Sequence, residues 1–259
     1  MSLPQELIDE ILCYLPLDGE HGEQSLRNCS LVARSWINPS RKHLFETVEI
    51  RETTLRSWYD SVSPANGGLL QHVRSLSYLV RLWPVSPPPE YRIDALRDYL
   101  PSLHNLQHLS LSSFILLSDV SQQVGPFSAF RHTLVRLSLS QCKVTTSALV
   151  TLINYFPHLN RLDLSRIPHG AYDKPASPAS RPLIRQLHIF ELYRSSGFGL
   201  FHQLSAVGLA FDEIVFGEHP QIPPLTFERV VGAVGAGVKR LRLSKPLKRG
   251  TLIKLRVAP

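Results

Sequence analysis

A triplet of apolar residues with one fixed spacing recurs through the middle of the chain. The residues stand at the first, fourth and sixth positions, L-x-x-L-x-L, and clear copies follow one another. Successive copies are 28, 25 and 25 residues apart, counted from Leu111 to Leu139, Leu164 and Ile189. A unit of this size cannot bury its own apolar side, so neighbouring units must stack on one another. The clear copies are Leu106, Leu109 and Leu111; Leu134, Leu137 and Leu139; Leu159, Leu162 and Leu164; and Ile184, Leu187 and Ile189.

Helical patterns lie between these triplets. One amphipathic helix is predicted over Thr146–Phe156 and another over Ile93–Leu100, each just ahead of a triplet. Both predicted helices end before a proline, Pro101 or Pro157, because the residue that precedes proline avoids the helical conformation. Strands that alternate with helices predict an α/β fold with a parallel sheet and helices outside it.

The triplets resemble leucine-rich repeats, whose units run to roughly 20–29 residues. Cys142 completes the consensus of one copy, at a position where an Asn or Cys side chain satisfies backbone groups of the loop. Other copies are degenerate and carry Phe114, Ile167 or Leu192 at this position. Weaker copies are Val73, Leu76 and Tyr78; Leu204, Val207 and Leu209; and Val238, Leu241 and Leu243.

The resemblance implies an irregular solenoid over residues 51–243, with parallel strands on its concave face and helices outside. Residues 169–182 contain several prolines and no periodicity, so they are predicted to form a flexible insertion between repeats. Residues 244–259 form a basic C-terminal tail, and residues 1–50 precede the solenoid as a separate small module.

Two short amphipathic helices are predicted within this small module. Pro4 suits the opening turn of the first helix, and Pro16 and Gly19 end it. The second predicted helix ends at Pro39. About fifty residues bury too little surface to be stable alone, so the module must pack against the chain or a partner. The two apolar faces consist of Leu7, Ile8, Ile11, Leu12 and Leu15, and of Leu26, Cys29, Val32, Ala33, Trp36 and Ile37.

Three short motifs in the module resemble an F-box in their order and spacing. They are LPQEL at 3–7, SLVARSW at 30–36 and LF at 44–45, and a loop at Asp18–Gln24 departs from the usual pattern. The resemblance implies binding to the Skp-type adaptor of a cullin–RING ubiquitin ligase. The alternative is that the same side chains only fill the core of the module. The positions that match the motif, and to which the resemblance assigns adaptor binding, are Leu3, Pro4, Glu6, Ile8, Ile11, Val32 and Trp36.

In a repeat of this kind, the residues that alternate with the strand leucines lie on the exposed side of the sheet. These positions are polar and mostly basic. Arginines on a strand suit bidentate capture of carboxylate or phosphate, so we expect them to contact an acidic or phosphorylated client protein. The alternative is an ordinary solvated sheet face. The residues assigned to the client are His108, Arg136, Arg161, Asp163, His188, Arg240 and Arg242.

The formal charge of +7 is placed unevenly. Arg229–Pro259 contains nine Lys or Arg and no acid, which leaves 28 − 9 = 19 basic against 21 acidic residues before it. A basic end of this kind is typical of binding to nucleic acid or anionic surfaces, and a non-enzymatic binder is the alternative function. The segment has no aromatic residue on which bases could stack, so nucleic acid is not an expected partner.

Motifs for enzymatic chemistry are missing from the sequence. It contains no G-x-S-x-G, no H-E-x-x-H and no G-x-G-x-x-G after a strand. Gly232–Gly237 is rich in glycine, but Lys239 is out of P-loop register with it. His104 and His108 are four residues apart at the entry to a strand, where helical metal-pair geometry does not hold. We therefore expect no catalytic residue, no cofactor and no metal.

The sequence predicts a non-catalytic protein that works through its partners. Its apolar runs are too short to span a bilayer and it shows no secretory signal, so a membrane is not expected. The cysteines, Cys13, Cys29 and Cys142, stand singly, which predicts reduced thiols and a cytoplasmic or nuclear location. The predicted function is the substrate-recognition subunit of an SCF-type ubiquitin ligase, which binds a Skp-type adaptor, through it a cullin, and an unknown client.

Overall fold

A computed structural model provides the fold. It describes residues 3–15, 20–62, 68–80, 96, 98–116, 125–165, 167, 186–193, 204, 209–216 and 240–243. The predictions for the insertion at 169–182, the glycine-rich segment Gly232–Gly237 and the tail at 244–259 lie outside these residues.

Eight parallel strands form one sheet in the described part of the chain, and they lie side by side in chain order. Two further strands of two residues each form a small parallel sheet. The predicted α/β class with a parallel sheet is confirmed. The large sheet contains β1 (Thr47–Arg51), β2 (Ser75–Leu79), β3 (His108–Ser112), β5 (Arg136–Ser140), β7 (Arg161–Ser165), β8 (Gln186–Tyr193), β9 (Ala210–Phe216) and β10 (Arg240–Leu243), and the small sheet contains β4 (Ile115–Leu116) and β6 (Lys143–Val144).

The apolar triplets account for the central strands. In the copies that lead into β3, β5 and β7, all three leucines are buried. The strands align these leucines, so that Leu109 pairs with Leu137 and Leu137 pairs with Leu162. Side chains alternate between the two faces of a strand, so the aligned leucines form one continuous apolar face. That face requires cover, which the connecting segments supply.

The turns after β3 and β5 repeat the same geometry. Ser113 and Gln141 adopt positive φ angles of 65° and 56°, which redirect the chain at the end of each strand. The next residues, Phe114 and Cys142, are both buried. The short strands β4 and β6 follow directly and pair with each other.

Five α-helices and four 3-10 helices accompany the sheet within the described residues. The helix predicted over Thr146–Phe156 is confirmed as Thr146–Tyr155, and the Thr145 side chain caps it by accepting a hydrogen bond from the Ala148 N–H at 3.2 Å. The α-helices are α1 (Gln5–Cys13), α2 (Glu20–Val32), α3 (Arg34–Glu46), α4 (Leu55–Val62) and α5 (Thr146–Tyr155), and the 3-10 helices are Glu52–Thr54, Leu69–His72, Leu100–Ser102 and Gly125–Phe130.

The predicted end of the second helix at Pro39 is wrong. The break falls at Ala33, whose extended backbone (φ −159°, ψ 160°) separates α2 from α3. α3 then continues through Pro39 to Glu46. Proline inside a helix costs about 3 kcal/mol. Because Pro39 and Ser40 are both buried, packing at this position offsets that cost.

The helix predicted over Ile93–Leu100 is also wrong at its C-terminal end, which is the part that the structure describes. Asp98 and Tyr99 form a turn, and Leu100–Ser102 is a 3-10 helix that includes Pro101. The φ angle of proline is compatible with the first positions of a 3-10 helix, so the proline continues the turn.

The sheet begins inside the segment assigned to the small module. β1 pairs with β2, with Val48 opposite Leu76 and Ile50 opposite Tyr78. Phe45, Val48 and Ile50 have the same triplet spacing as the central strands, a signal that the sequence contains but that the F-box resemblance masked. The N-terminal helices are therefore joined directly to the first strand.

The buried apolar residues that the structure describes form two separate clusters. The larger cluster lies between the sheet and its connections and extends from Val48 to Ile214. The smaller cluster contains the fully buried Ile8, Leu12 and Leu26, which come from α1 and α2. Partly buried residues, including Trp36 of α3, pack around the smaller cluster. α1, α2 and α3 thus share a core of their own.

Candidate interaction surfaces

α1 and the residues at its two ends present an apolar stripe to solvent. Its members are spaced by four, four and three residues, which keeps them on one side of the helix. Helices of globular proteins normally turn such a stripe toward a core. The stripe, called the α1 stripe below, consists of Leu3, Leu7, Ile11 and Tyr14, with exposed fractions of 50%, 45%, 43% and 80%.

A second exposed apolar pair lies at the end of α2. Leu31 and Val32 are 83% and 67% exposed, immediately before the break at Ala33. Among the residues whose exposure the structure describes, all the exposed large hydrophobic side chains come from this pair and the α1 stripe. The strands and connections whose side chains the structure describes contribute none, so within that part of the chain the exposed large apolar side chains belong to the N-terminal helices and their ends.

The residues predicted to bind the adaptor fall into two groups. Leu3, Pro4, Glu6, Ile11 and Val32 are exposed. Ile8 and Trp36 are instead directed into the small core, Ile8 completely and Trp36 in part. In this conformation the Ile8 side chain is not available to a partner. A helix turns by 100° per residue, so Ile8 and Leu12 face inward while their neighbours Leu7 and Ile11 face outward.

The polar residues predicted to contact a client meet at the middle of the sheet. The Asp163 side chain is only 6% exposed and accepts three hydrogen bonds. Arg136 Nε donates to Asp163 Oδ2 at 2.6 Å, and Arg161 Nε donates to Oδ1 at 2.9 Å. Ser138 Oγ donates to Oδ2 at 2.8 Å. We call this arrangement the Asp163 clamp. It uses part of the hydrogen-bonding capacity that was predicted for a client.

The clamp influences its neighbour His108, which pairs with Arg136 across β3 and β5. Burial lowers the pKa of His108, and the positive charges of Arg136 and Arg161 lower it further, against an opposing effect of Asp163. His108 is therefore uncharged at neutral pH, and the positive charge next to Asp163 comes from Arg136 and Arg161, whose side chains are 39% and 29% exposed.

If the repeat copies aligned on their triplets, His188 would lie opposite Asp163, but the strand register is different. β8 pairs with β7 so that Asp163 lies opposite Glu191, and Arg161 lies opposite Ile189. The register differs from the triplet alignment by three residues. The signal that set the expectation was Ile184-x-x-Leu187-x-Ile189, whereas Phe190 and Leu192 align with the β7 leucines.

Arg240 and Arg242 occupy β10, where Arg240 pairs with Glu213 and Arg242 with Val215 of β9. Glu213 pairs in turn with Ile189, and Ile189 with Arg161. By strand register, Arg240 therefore belongs to the same row as Arg161, three strands along the sheet. The side chains of β8 and β10 lie outside the described residues.

A cysteine and a histidine that the sequence did not connect approach each other between α1 and α3. Cys13 Sγ lies 3.9 Å from His43 Nε2. His43 Nδ1 lies 3.9 Å from Glu46 Oε2, beyond hydrogen-bonding range, so this carboxylate does not orient the imidazole as in a catalytic triad. A search of the described residues finds no group of three His, Cys, Asp or Glu side chains that could hold a metal ion.

No protein-family model matches the chain, and no curated protein matches it. Within the described residues, none of the helices combines the length and the apolar character needed to cross a membrane. The function is therefore inferred from the α1 stripe, from Leu31 and Val32, and from the row around the Asp163 clamp.

Proposed function

We propose that this chain is a substrate-recognition subunit of an SCF-type ubiquitin ligase, acting in the cytoplasm or nucleus. The N-terminal helices dock on a Skp-type adaptor, which connects the chain to a cullin. The observation that carries the proposal is that, among the residues whose exposure the structure describes, the exposed large apolar side chains are those of the α1 stripe and of Leu31 and Val32. The function requires no bond chemistry, because holding a client near the ubiquitin-conjugating enzyme raises its effective concentration.

The exposed apolar surface supports a protein partner. Leu7 and Ile11 keep 45% and 43% of their surface in water. Covering what remains exposed stabilises a complex by roughly 1 kcal/mol for each side chain. Leu3, Leu31 and Val32 add comparable amounts if the same partner reaches them. Apolar patches rimmed by polar residues are typical of protein interaction sites, and the exposed Glu6 and Glu10 of α1 supply polar neighbours.

The client-binding part of the proposal rests on the sheet. Strands that follow one another in chain order, with aligned buried leucines, are what a solenoid of degenerate leucine-rich repeats requires. In this reading the row around the Asp163 clamp faces the client. Arg136 and Arg161 hold Asp163 through Nε, and guanidinium groups on a strand are suited to an acidic or phosphorylated segment.

The adaptor interface is tested with the double variant Leu7→Asp and Ile11→Asp. Both side chains are exposed, so the variant should remain folded and should lose capture of a purified Skp-type adaptor by at least about tenfold, because two charges would be buried at the interface. Binding is measured by titration of the adaptor against the full chain. Ile8 is not suitable for this test, because a charge at this buried position would unfold the helices.

A matched control places the same two charges elsewhere. Ser57 and Ser61 are exposed, lie four residues apart on α4 and have the same spacing as Leu7 and Ile11. The variant Ser57→Asp and Ser61→Asp should bind the adaptor like the unaltered chain. If the adaptor fails to bind the unaltered chain, or binds both variants equally well, docking through the α1 stripe is wrong.

A further inference from the structure

A polar pocket of about 200 Å³ lies beside the N-terminal ends of the strands. α3 packs there against the 3-10 helix Leu69–His72, and Arg74 and Gln107 immediately precede β2 and β3. Three basic side chains from different elements line the pocket, Lys42, His72 and Arg74, and none of the lining residues is acidic. The pocket therefore brings together basic side chains of α3, of the 3-10 helix and of the residue that precedes β2.

The residues that line the pocket include cations and no carboxylate. Burial lowers the pKa of His72, and the neighbouring charges of Lys42 and Arg41 lower it further. No acidic group is among the causes. His72 is consequently neutral at neutral pH, and the lining carries the two positive charges of Lys42 and Arg74. Two positive charges in a lining that contains no acidic residue favour the binding of an anion.

Neutral donors complete the lining. Gln71, Asn105 and Gln107 contribute side-chain amides. Asn105 Nδ2 donates one hydrogen bond to the Gln71 carbonyl at 2.7 Å, which orients the amide and leaves its second hydrogen for a ligand. The backbone beneath is ordered by hydrogen bonds from the N–H groups of Gln107 and His108 to the Arg74 carbonyl, at 2.8 and 2.9 Å.

We propose that this pocket binds a phosphate group between Lys42 and Arg74. A phosphate monoester carries a charge of about −1.5 to −2 at neutral pH, which matches the two cations, whereas a carboxylate would balance only one. The Arg74 guanidinium can engage two phosphate oxygens at once, and the amides can donate to the others. Free phosphate and a phosphorylated serine side chain present the same group. Binding of either at this pocket does not depend on the proposed adaptor docking.

The first test titrates inorganic phosphate into the full chain by calorimetry. The unaltered chain should show saturable binding. The variant Lys42→Gln and Arg74→Gln should weaken it roughly tenfold or more, because charge-assisted hydrogen bonds are lost. Both side chains are exposed, so the substitutions leave the core unchanged. The matched control is Arg56→Gln and Lys143→Gln, which removes two exposed positive charges elsewhere and should leave the dissociation constant unchanged.

A second arm distinguishes the source of the phosphate. A short glycine-rich peptide with one phosphoserine is compared with its unphosphorylated form. Tighter binding of the phosphopeptide than of inorganic phosphate, lost in the pocket variant, supports the proposal with a peptide ligand. Binding of inorganic phosphate alone, also lost in the pocket variant, supports it with a small free ligand. Equal weakening in both double variants, or no saturable binding of either probe, overturns it.

A third measurement needs no variant. The side-chain amide signals of Asn105 and Gln107 in the NMR spectrum of the unaltered chain should shift during the phosphate titration and saturate with the calorimetric constant. The amide signals of Gln24 and Asn28, which bond to each other on α2 away from the pocket, should stay in place. Signals of Asn105 and Gln107 that do not move would overturn the proposal.

Discussion

Cys142 closes the turn after β5 from inside the protein. Its thiol is fully buried and lies within hydrogen-bonding distance of two carbonyl oxygens, 3.4 Å from that of Leu111 and 3.3 Å from that of Ser140. Burial raises the pKa of the Cys142 thiol to about 12, against a smaller opposing effect of backbone hydrogen bonds. The role assigned to this residue from the repeat consensus, which was to satisfy backbone groups of the loop, matches these contacts.

The Cys142 thiol should make stability fall in alkaline solution. In the unfolded chain it titrates near 9.0, and in the folded chain near 12. Its contribution is complete below pH 9.0 and is lost as the pH rises toward 12, because only the unfolded form then gives up its proton. Urea denaturation on both sides of pH 9 measures this effect. The loss should be smaller in Cys142→Ala, whereas Cys13→Ala, which removes an exposed thiol, should behave like the unaltered chain. Identical pH profiles for all three chains would contradict it.

Neighbouring strands are joined by side chains as well as by backbone hydrogen bonds. The Asp163 clamp connects β5 to β7, because Arg136 and Ser138 reach across to the carboxylate on the next strand. Its ion pairs differ from ordinary surface pairs, since the carboxylate is nearly buried and both of its oxygens accept hydrogen bonds. Removing the acid would leave two guanidinium groups facing each other in a partly desolvated place.

The variant Asp163→Asn should therefore lose about 2 kcal/mol or more of unfolding free energy. Ser138→Ala removes one neutral donor from the same carboxylate and should cost about 1 kcal/mol or less. Chemical denaturation of both variants provides the comparison. Equal losses would mean that the negative charge is unimportant and that the clamp acts through neutral hydrogen bonding alone.

The molecule as a whole combines a large core with a small one. The core of the sheet draws on residues from β1 to β9, whereas the core of α1, α2 and α3 has three fully buried apolar residues. The free energy of local opening follows the buried apolar area. The N-terminal helices should consequently open without the sheet, which suits a segment whose outer surface is proposed to be covered by a partner.

Native-state hydrogen exchange should show this difference. Amides of α1 should exchange about a hundredfold faster than those of α5, a helix of similar length whose residues belong to the large core. The comparison of two helices separates the effect of the core from that of helix geometry. Addition of a bound adaptor should slow α1 and leave α5 unchanged. Equal protection of the two helices in the free chain would contradict the separation of the cores.

The sequence by itself determined the strands β3, β5 and β7, the burial of their leucine triplets and the helix α5. Period and spacing are local properties of the sequence. The apolar face that they create is stable only when other segments of the chain cover it. Only the tertiary structure decided which half of the α1 face turns inward, because Ile8 and Leu7 are equally apolar and the choice depends on where α2 and α3 lie. It also decided that Asp163 is held by Arg136 and Arg161, and that β8 pairs through Phe190 and Leu192. Those outcomes depend on contacts between residues far apart in the chain, which the spacing of residues along the sequence does not reveal.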